Sequence, residues 1–459
     1  MIMLDNTVVN VALPSIQRDF GIEATDPSEL EWVVNAYALV FAVLMLTGGK
    51  LADYFGRRRI FALGLTIFAV SSLFCGLSET AGELIAARAV QGIGSALMML
   101  ATLSIISATF SPRERGTAIG IWAGVSAMAL AIGPLVGGLI TEHASWSWIF
   151  FINLPVAAVG LAVGRLVIAE SRDTSAVQRL DLPGLAVSAV ALFALTFALI
   201  EAGSYGWSSA TILSLLGVAA AGFAVFIGLE HLQRIPMLDL SLFRSGTFAG
   251  ANVVALLVGL AMFGVFFFLS LYMQNVLGYS PVRAGASFLP MTLLIILVAP
   301  IAGRVSDRVG SRWLMAGGMT LTAGSLVIFS RLEVDSSEWA LLPGMLVGGF
   351  GMAITITPMT AAALGAVPVA KAGVGSGVLN TFRQVGLALG IAVMGAILTA
   401  EQGSSLEHGA RPDVAFVDGL SHSMLVGAGI ALAGAAVAAL TIRRYRHAHA
   451  PEVAAELGT

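Results

Sequence analysis

Charge is what this sequence has least of. Only 11% of its 459 residues are Asp, Glu, Lys or Arg, against about 25% in a soluble globular chain. That deficit excludes an ordinary soluble enzyme and a disordered protein. A net charge of −3 gives no global attraction for a polyanion, so no nucleic-acid partner is expected. Cysteine is nearly absent as well: Cys75 alone permits neither an internal disulfide nor a cysteine-rich metal site. The six histidines fall in loops or the tail and form no HExxH spacing. There is no GxSxG nucleophile elbow and no GxxxxGK[ST] phosphate loop. No metal, no catalytic constellation and no bound cofactor are expected.

Long apolar runs take the place of charge. Hydrophobic residues make up 57% of the chain, and its mean hydropathy is +0.90. A helix needs about 20 apolar residues to cross a hydrocarbon core about 30 Å thick. Full-length runs follow one another from 31–50 to 421–442. Residues 1–17 are short by this arithmetic and lack the features of a signal peptide. They read as the second half of a span, which brings the expected total to fourteen. Most lysines and arginines lie on one set of alternate loops, Lys50 and Arg57–Arg59 among them, while the opposite loops carry only Arg18, Arg283, Arg331 and Arg411. The positive-inside rule makes the basic face cytoplasmic and places both termini there, in a cell membrane.

An eleven-residue stretch recurs. GKLADYFGRRR at 49–59 returns as GRVSDRVGSRW at 303–313, with Gly49, Asp53, Gly56 and Arg58 matching Gly303, Asp307, Gly310 and Arg312 in register. Both copies join a span to the next on the basic face. Repeated halves about an axis along the membrane normal mark secondary transporters. The expected organisation is therefore all-α: a six-helix bundle over 1–168, a linker and inserted helix pair over 169–245, a second six-helix bundle over 246–442 and a cytoplasmic tail over 443–459.

The repeated loop resembles the signature of the major facilitator superfamily. LDNTVVNVALP at 4–14, RAVQGIGSA at 88–96 and GIWAGVSAMALAIGPLVGG at 120–138 resemble helices 1, 4 and 5 of its fourteen-helix drug:proton antiporters. WSWIFFINLP at 146–155 and PMLDLSLFR at 236–244 are also similar to that family, although Ser147 stands where the family has arginine. The resemblance implies efflux of amphipathic or cationic small molecules in exchange for protons, driven by the proton gradient and carried out by a monomer. Two alternatives stay open: a dedicated exporter of one metabolite or self-made antibiotic, and a membrane sensor or scaffold that transports nothing.

Individual residues carry these expectations. A carboxylate inside a span costs about 2.5–3.5 kcal/mol on insertion scales, so it faces a cavity and has a role. Asp5 is such a residue, and the resemblance makes it the proton-coupling acid. Arg88 cannot shed its charge and must pair or reach water. It either assists at Asp5, as the resemblance implies, or snorkels outward towards Glu83. Gly49, Asp53, Gly56, Arg57, Arg58, Arg115 and Asp307 are candidates for a cytoplasmic latch, Asp53 pairing with Arg57 or Arg115. The antiporter helix carries Gly120, Gly133, Pro134, Gly137 and Gly138. Ala129, Gly133 and Gly137 are spaced by four and give one small face for close packing, and Pro134 kinks the helix. Asn10, Asn35, Tyr37, Gln91 and Asn380 are polar residues within spans, either lining a cavity or joining helices. Arg383 also lies inside a span, near its cytoplasmic end.

Overall fold

The computed structural model describes residues 1–23, 27–110, 115–171, 181–233, 238, 240–368 and 372–443, with some helical side chains, chiefly in 46–54 and 115–131, left out. Among the described residues the chain is helical throughout, with no strand. In order the helices are α1 (Ile2–Phe20), α2 (Ser28–Phe55), α3 (Arg57–Leu77), α4 (Ala81–Thr109), α5 (Arg115–His143), α6 (Trp148–Phe151) and α7 (Asn153–Val167). An antiparallel pair follows, α8 (Leu182–Tyr205) and α9 (Ala210–Leu232). The second half holds α10 (Gly246–Leu271), α11 (Pro281–Ser287), α12 (Leu289–Val309), α13 (Ser311–Phe329), α14 (Glu338–Gly365), α15 (Ala372–Glu407) and α16 (Pro412–Thr441). The short α6 continues into α7 and α11 into α12, so among the described residues the chain makes fourteen helical passes. Among the described residues, 11 helices are long and apolar enough to cross a membrane. Their large apolar side chains, such as Leu166, Leu232 and Leu440, stand exposed around the outside, as they do where lipid is the solvent.

Each half packs on itself. In the first, α4 lies along α2 and α3, and α5 along α1. In the second, α14 lies along α12 and α13, and α10 along α15 and α16. The parallel between α4 and α14 is the structural counterpart of the repeat in sequence. The repeated loops also share a backbone device. Gly56 opens α3 at φ 109° and Gly310 opens α13 at φ 88°, a region where a side chain is strained. These glycines turn the chain between two antiparallel spans without a longer loop. The inserted α8 rests against both α2 and α15 and so straddles the seam between halves, while α9 packs on α8.

Helix ends are capped from nearby sequence. Thr80 accepts from the Glu83 N–H at the start of α4, and the Glu83 carboxylate returns to the N–H of Glu79, satisfying donors that the first turn leaves free. Glu83 is therefore a cap of its own helix. Gly21, at φ 67°, closes α1 in the left-handed conformation.

Candidate functional site

The site grows from three helices of the first half. Asp5 lies one turn into α1 and is 3% exposed, and Arg88 lies two turns into α4 and is 1% exposed. Close packing of α4 against α2, and a bridge from α4 to α1, bring the two together across 83 residues of sequence. Arg88 Nη1 donates to Asp5 Oδ2 at 2.5 Å. The guanidinium also donates through Nε to the Val33 carbonyl of α2 at 3.2 Å and through Nη1 to Gln91 Oε1 at 2.6 Å. Gln91 Nε2 donates to Asp5 Oδ1 at 3.2 Å and to Ser72 Oγ at 2.7 Å. Asn153 of α7 donates to the same Ser72 oxygen at 3.2 Å. The Tyr37 ring lies 4.2 Å from the guanidinium carbon, and the Tyr37 hydroxyl accepts from Ser95. Cys75, also buried, places its thiol 3.8 Å from Gln91 Oε1.

This geometry decides between the two readings of Arg88. Its side chain runs inward to the acid and not outward to Glu83. A buried ion pair survives in a dry interior only when hydrogen bonds satisfy its remaining donors and acceptors; Val33 and Gln91 supply them here, and the Tyr37 ring covers the guanidinium. Sequence reasoning named Asp5, Arg88, Tyr37 and Gln91. It missed Ser72, Ser95, Asn153 and Cys75, whose signal was the presence of small polar groups inside apolar spans.

The other cavity candidates separate. Asn10 and Asn35 are buried near this network in α1 and α2. Both side-chain atoms of Asn35, and Oδ1 of Asn10, have no hydrogen-bond partner among the described residues. Asn380 is in the second half, where its Oδ1 accepts from Arg383 at 2.6 Å.

The antiporter helix does two jobs. A Cβ on Gly133 would strike the Thr7 hydroxyl of α1, and one on Gly137 would come within 2.8 Å of the Val8 carbonyl. The small face anticipated from the spacing therefore holds α5 against the helix that bears Asp5. On another side, Gly138 faces the Pro281 carbonyl and Gly285 faces the Pro134 carbonyl, so α5 and α11 meet backbone to backbone across the two halves. Glu142 completes that meeting, its Oε2 accepting from the Val282 N–H of α11 at 2.9 Å. The Ser280 hydroxyl and that N–H hold the Glu142 carboxyl below the usual carboxylate range. Two more bonds cross between the halves: Gln274 Nε2 to the Val11 carbonyl at 2.9 Å, and Asn275 Nδ2 to Gln17 Oε1 at 2.8 Å. All of these ties sit towards the arginine-poor ends of the helices. Gln274 stood out in the sequence as a polar residue within a span; Glu142 and Asn275 were not anticipated.

At the opposite, basic ends the latch is answered in part. Arg58 and Arg59 turn to Glu170, which follows α7: the Arg58 N–H donates to Glu170 Oε1 at 3.2 Å, and Arg59 Nε lies 3.7 Å from Oε2. Arg58 Nη1 donates to the Ile168 carbonyl, and the Arg57 N–H donates to the Ser171 carbonyl. A Cβ on Gly56 would sit 2.7 Å from Glu170 Oε1, so this loop closes within the first half. The side chains of Asp53, Arg115 and Asp307, with Gly49 and Gly120, lie outside the described residues.

The family model described as Major Facilitator Superfamily matches residues 1–391. The chain belongs to the major facilitator superfamily. Among its relatives, the multidrug resistance protein Stp of Mycobacterium tuberculosis is 36% identical over 408 residues, covering 89% of this chain and 75% of that one. The puromycin resistance protein of Streptomyces alboniger is 37% identical over 438 residues, covering 94% and 86%. The methylenomycin A resistance protein of Streptomyces coelicolor is 37% identical over 413 residues, covering 89% and 85%. In fold, the chain is similar to a bacterial homolog of the human lysosomal transporter Spinster, solved inward-facing and unoccupied, with a TM-score of 0.68 at 18% identity over 97% of this chain and 96% of that one. A superfamily member with this many apolar helices is a multi-pass membrane protein.

Proposed function

We propose that this protein is a proton-coupled antiporter of the cell membrane that exports amphipathic or cationic small molecules by alternating access. The observation that carries the reading is the buried Asp5–Arg88 pair, set in a hydrogen-bonded network on α1, α2 and α4. Relatives named for multidrug resistance and for resistance to single antibiotics support export. Those named for one compound also support a narrower version, a dedicated exporter of a single product.

The arginine distribution puts the basic face in the cytosol and the ties of Glu142, Gln274 and Asn275 on the outer side. In the state described, the two halves are held together outside, and Asp5 is engaged by Arg88. Opening the outer side breaks those few hydrogen bonds and the close approach of α5 to α11. A proton arriving from the outside neutralises Asp5 and leaves Arg88 to be held by Gln91, the Val33 carbonyl and the Tyr37 face. Return of Asp5 to the cytosolic side releases the proton and restores the charge that favours a cationic substrate. The residues Asn10 and Asn35, with their unused amide atoms, lie where such a substrate would find polar partners. A single charge crossing 100 mV is worth about 2.3 kcal/mol, enough to drive uphill export.

Inverted membrane vesicles test the reading. Vesicles carrying the protein accumulate ethidium when their interior is acid, and an ionophore that collapses the pH gradient stops the accumulation. Gradient-independent uptake, or none beyond that of protein-free vesicles, contradicts it.

A further inference from the structure

The second half contains an arginine whose charge no carboxylate answers among the described residues. Arg383 lies in α15 well inside the span, eleven residues beyond the helix start at Ala372, about 16 Å along the axis. Among the described residues its side chain bonds to the neutral Asn380, whose Oδ1 accepts from Nη2 at 2.6 Å. Among the described residues no carboxylate comes within 4.0 Å of it. The contrast with Arg88 is direct, since that arginine is sealed and paired. α15, which carries Arg383, packs on α10 and α16 of its own half and on α2 and α8, and the Arg383 side chain is only half-buried. An accessible charge at this depth in a span needs water or a polar ligand beside it. Its neighbour Gln384 is 5% exposed and has an Nε2 without a partner. The backbone is fixed tightly around this point, because Gly259 of α10 packs on the Arg383 carbonyl and Gly386 on the Leu256 carbonyl. That packing fixes the backbone from which Arg383 projects, and Asn380 holds the guanidinium itself.

An arginine inside a membrane protein keeps its charge and finds a counter-charge. We infer that Arg383, with Gln384 beside it, is an anion-binding subsite on the second half of the transport cavity, and that the protein takes substrates bearing a carboxylate, phenolate or phosphate. This rests on the export reading above and refines its substrate class: an apolar body with an acidic group joins the cationic compounds. The guanidinium fork suits such groups because it presents parallel N–H donors to two oxygens. The same chemistry would hold a lipid phosphate, so the test separates the two sources.

The measurement compares fluorescein, an amphipathic anion, with ethidium, an amphipathic cation, on the full chain in zwitterionic vesicles. The wild type binds and transports fluorescein, and Arg383→Gln weakens fluorescein binding about tenfold or more, the loss of one charge-assisted contact, while ethidium binding stays within about twofold. Arg383→Lys, which keeps the charge but not the fork, falls between. Equal losses for both dyes mark a general packing defect and overturn the subsite, as does fluorescein binding that Arg383→Gln leaves unchanged. A parallel arm adds phosphatidylglycerol. If that lipid raises the melting temperature of the wild type but not of Arg383→Gln, and competes away nothing of fluorescein binding, the arginine holds a headgroup and the substrate assignment falls. Loss of the anion site leaves ethidium export intact, whereas failure of the export reading removes transport of both dyes in the wild type.

Discussion

Asp5→Asn removes proton-driven export. Asparagine has nearly the shape of aspartate and can still accept from Arg88 through its one amide oxygen, so the helices α1 and α4 stay in register. It cannot carry a proton, and a proton gradient does work only through a group whose protonation alternates between the two sides. One proton exchanged for one neutral substrate against 100 mV is worth about 2.3 kcal/mol, which supports an accumulation ratio of about 50. For the variant that ratio falls to about one, while exchange of substrate down its own gradient continues. Asp5→Glu keeps the proton but lengthens the side chain by a methylene, and retains part of the coupling. Initial rates in inverted vesicles, with and without a pH gradient, measure all three. Gradient-driven accumulation by Asp5→Asn at the wild-type ratio would remove Asp5 from the mechanism.

The second large effect is on stability. Arg88→Met keeps the length of the apolar stem and deletes the charge. Asp5 is then a buried carboxylate with one amide donor, from Gln91, in place of an ion pair. Breaking a buried pair from one side costs about 3–5 kcal/mol, because the stranded charge bears the full desolvation penalty. The double variant Asp5→Asn with Arg88→Met has no stranded charge and recovers most of that loss. The coupling energy between the two positions is the readout, obtained from a double-variant cycle of unfolding free energies in detergent. A loss below about 1 kcal/mol for Arg88→Met would mean that the pair is bathed by water and behaves as a surface bridge.

Much of the fold could be read before any coordinates. Span length, loop charge and the repeat at 49–59 and 303–313 led to fourteen passes in two related halves, because a bilayer forces each apolar run into a helix. The paired glycines 56 and 310 follow the same logic, since the tight connection needs positive φ at one position. The spacing of Ala129, Gly133 and Gly137 told that α5 has a small face. It did not tell that α1 covers that face, because packing partners depend on tertiary arrangement. The site was legible as separate residues. Asp5 and Arg88 each stood out as charges in apolar helices, but nothing along the chain connects positions so far apart. Glu83 misled for the reverse reason: it is close to Arg88 in sequence, yet its carboxylate serves the start of its own helix. The carboxylate at the basic loop was likewise hidden. Glu170 sits beyond α7 and reaches Arg58 and Arg59 through the fold, while the Asp53 side chain that local reading favoured lies outside the described residues. The cross-half ties of Glu142 and Asn275 have no sequence signal, since each is an unremarkable polar residue near a span end.

Proton release on substrate binding tests the central claim most directly. Mixed with saturating ethidium in weakly buffered detergent solution at a series of pH values from about 5 to 9, the wild type liberates protons, up to about one per molecule, the linkage expected when substrate favours the ionised acid. Asp5→Asn liberates none while still binding the dye. Release that is equal in the two proteins, or absent from the wild type at every pH between 5 and 9, would contradict the account.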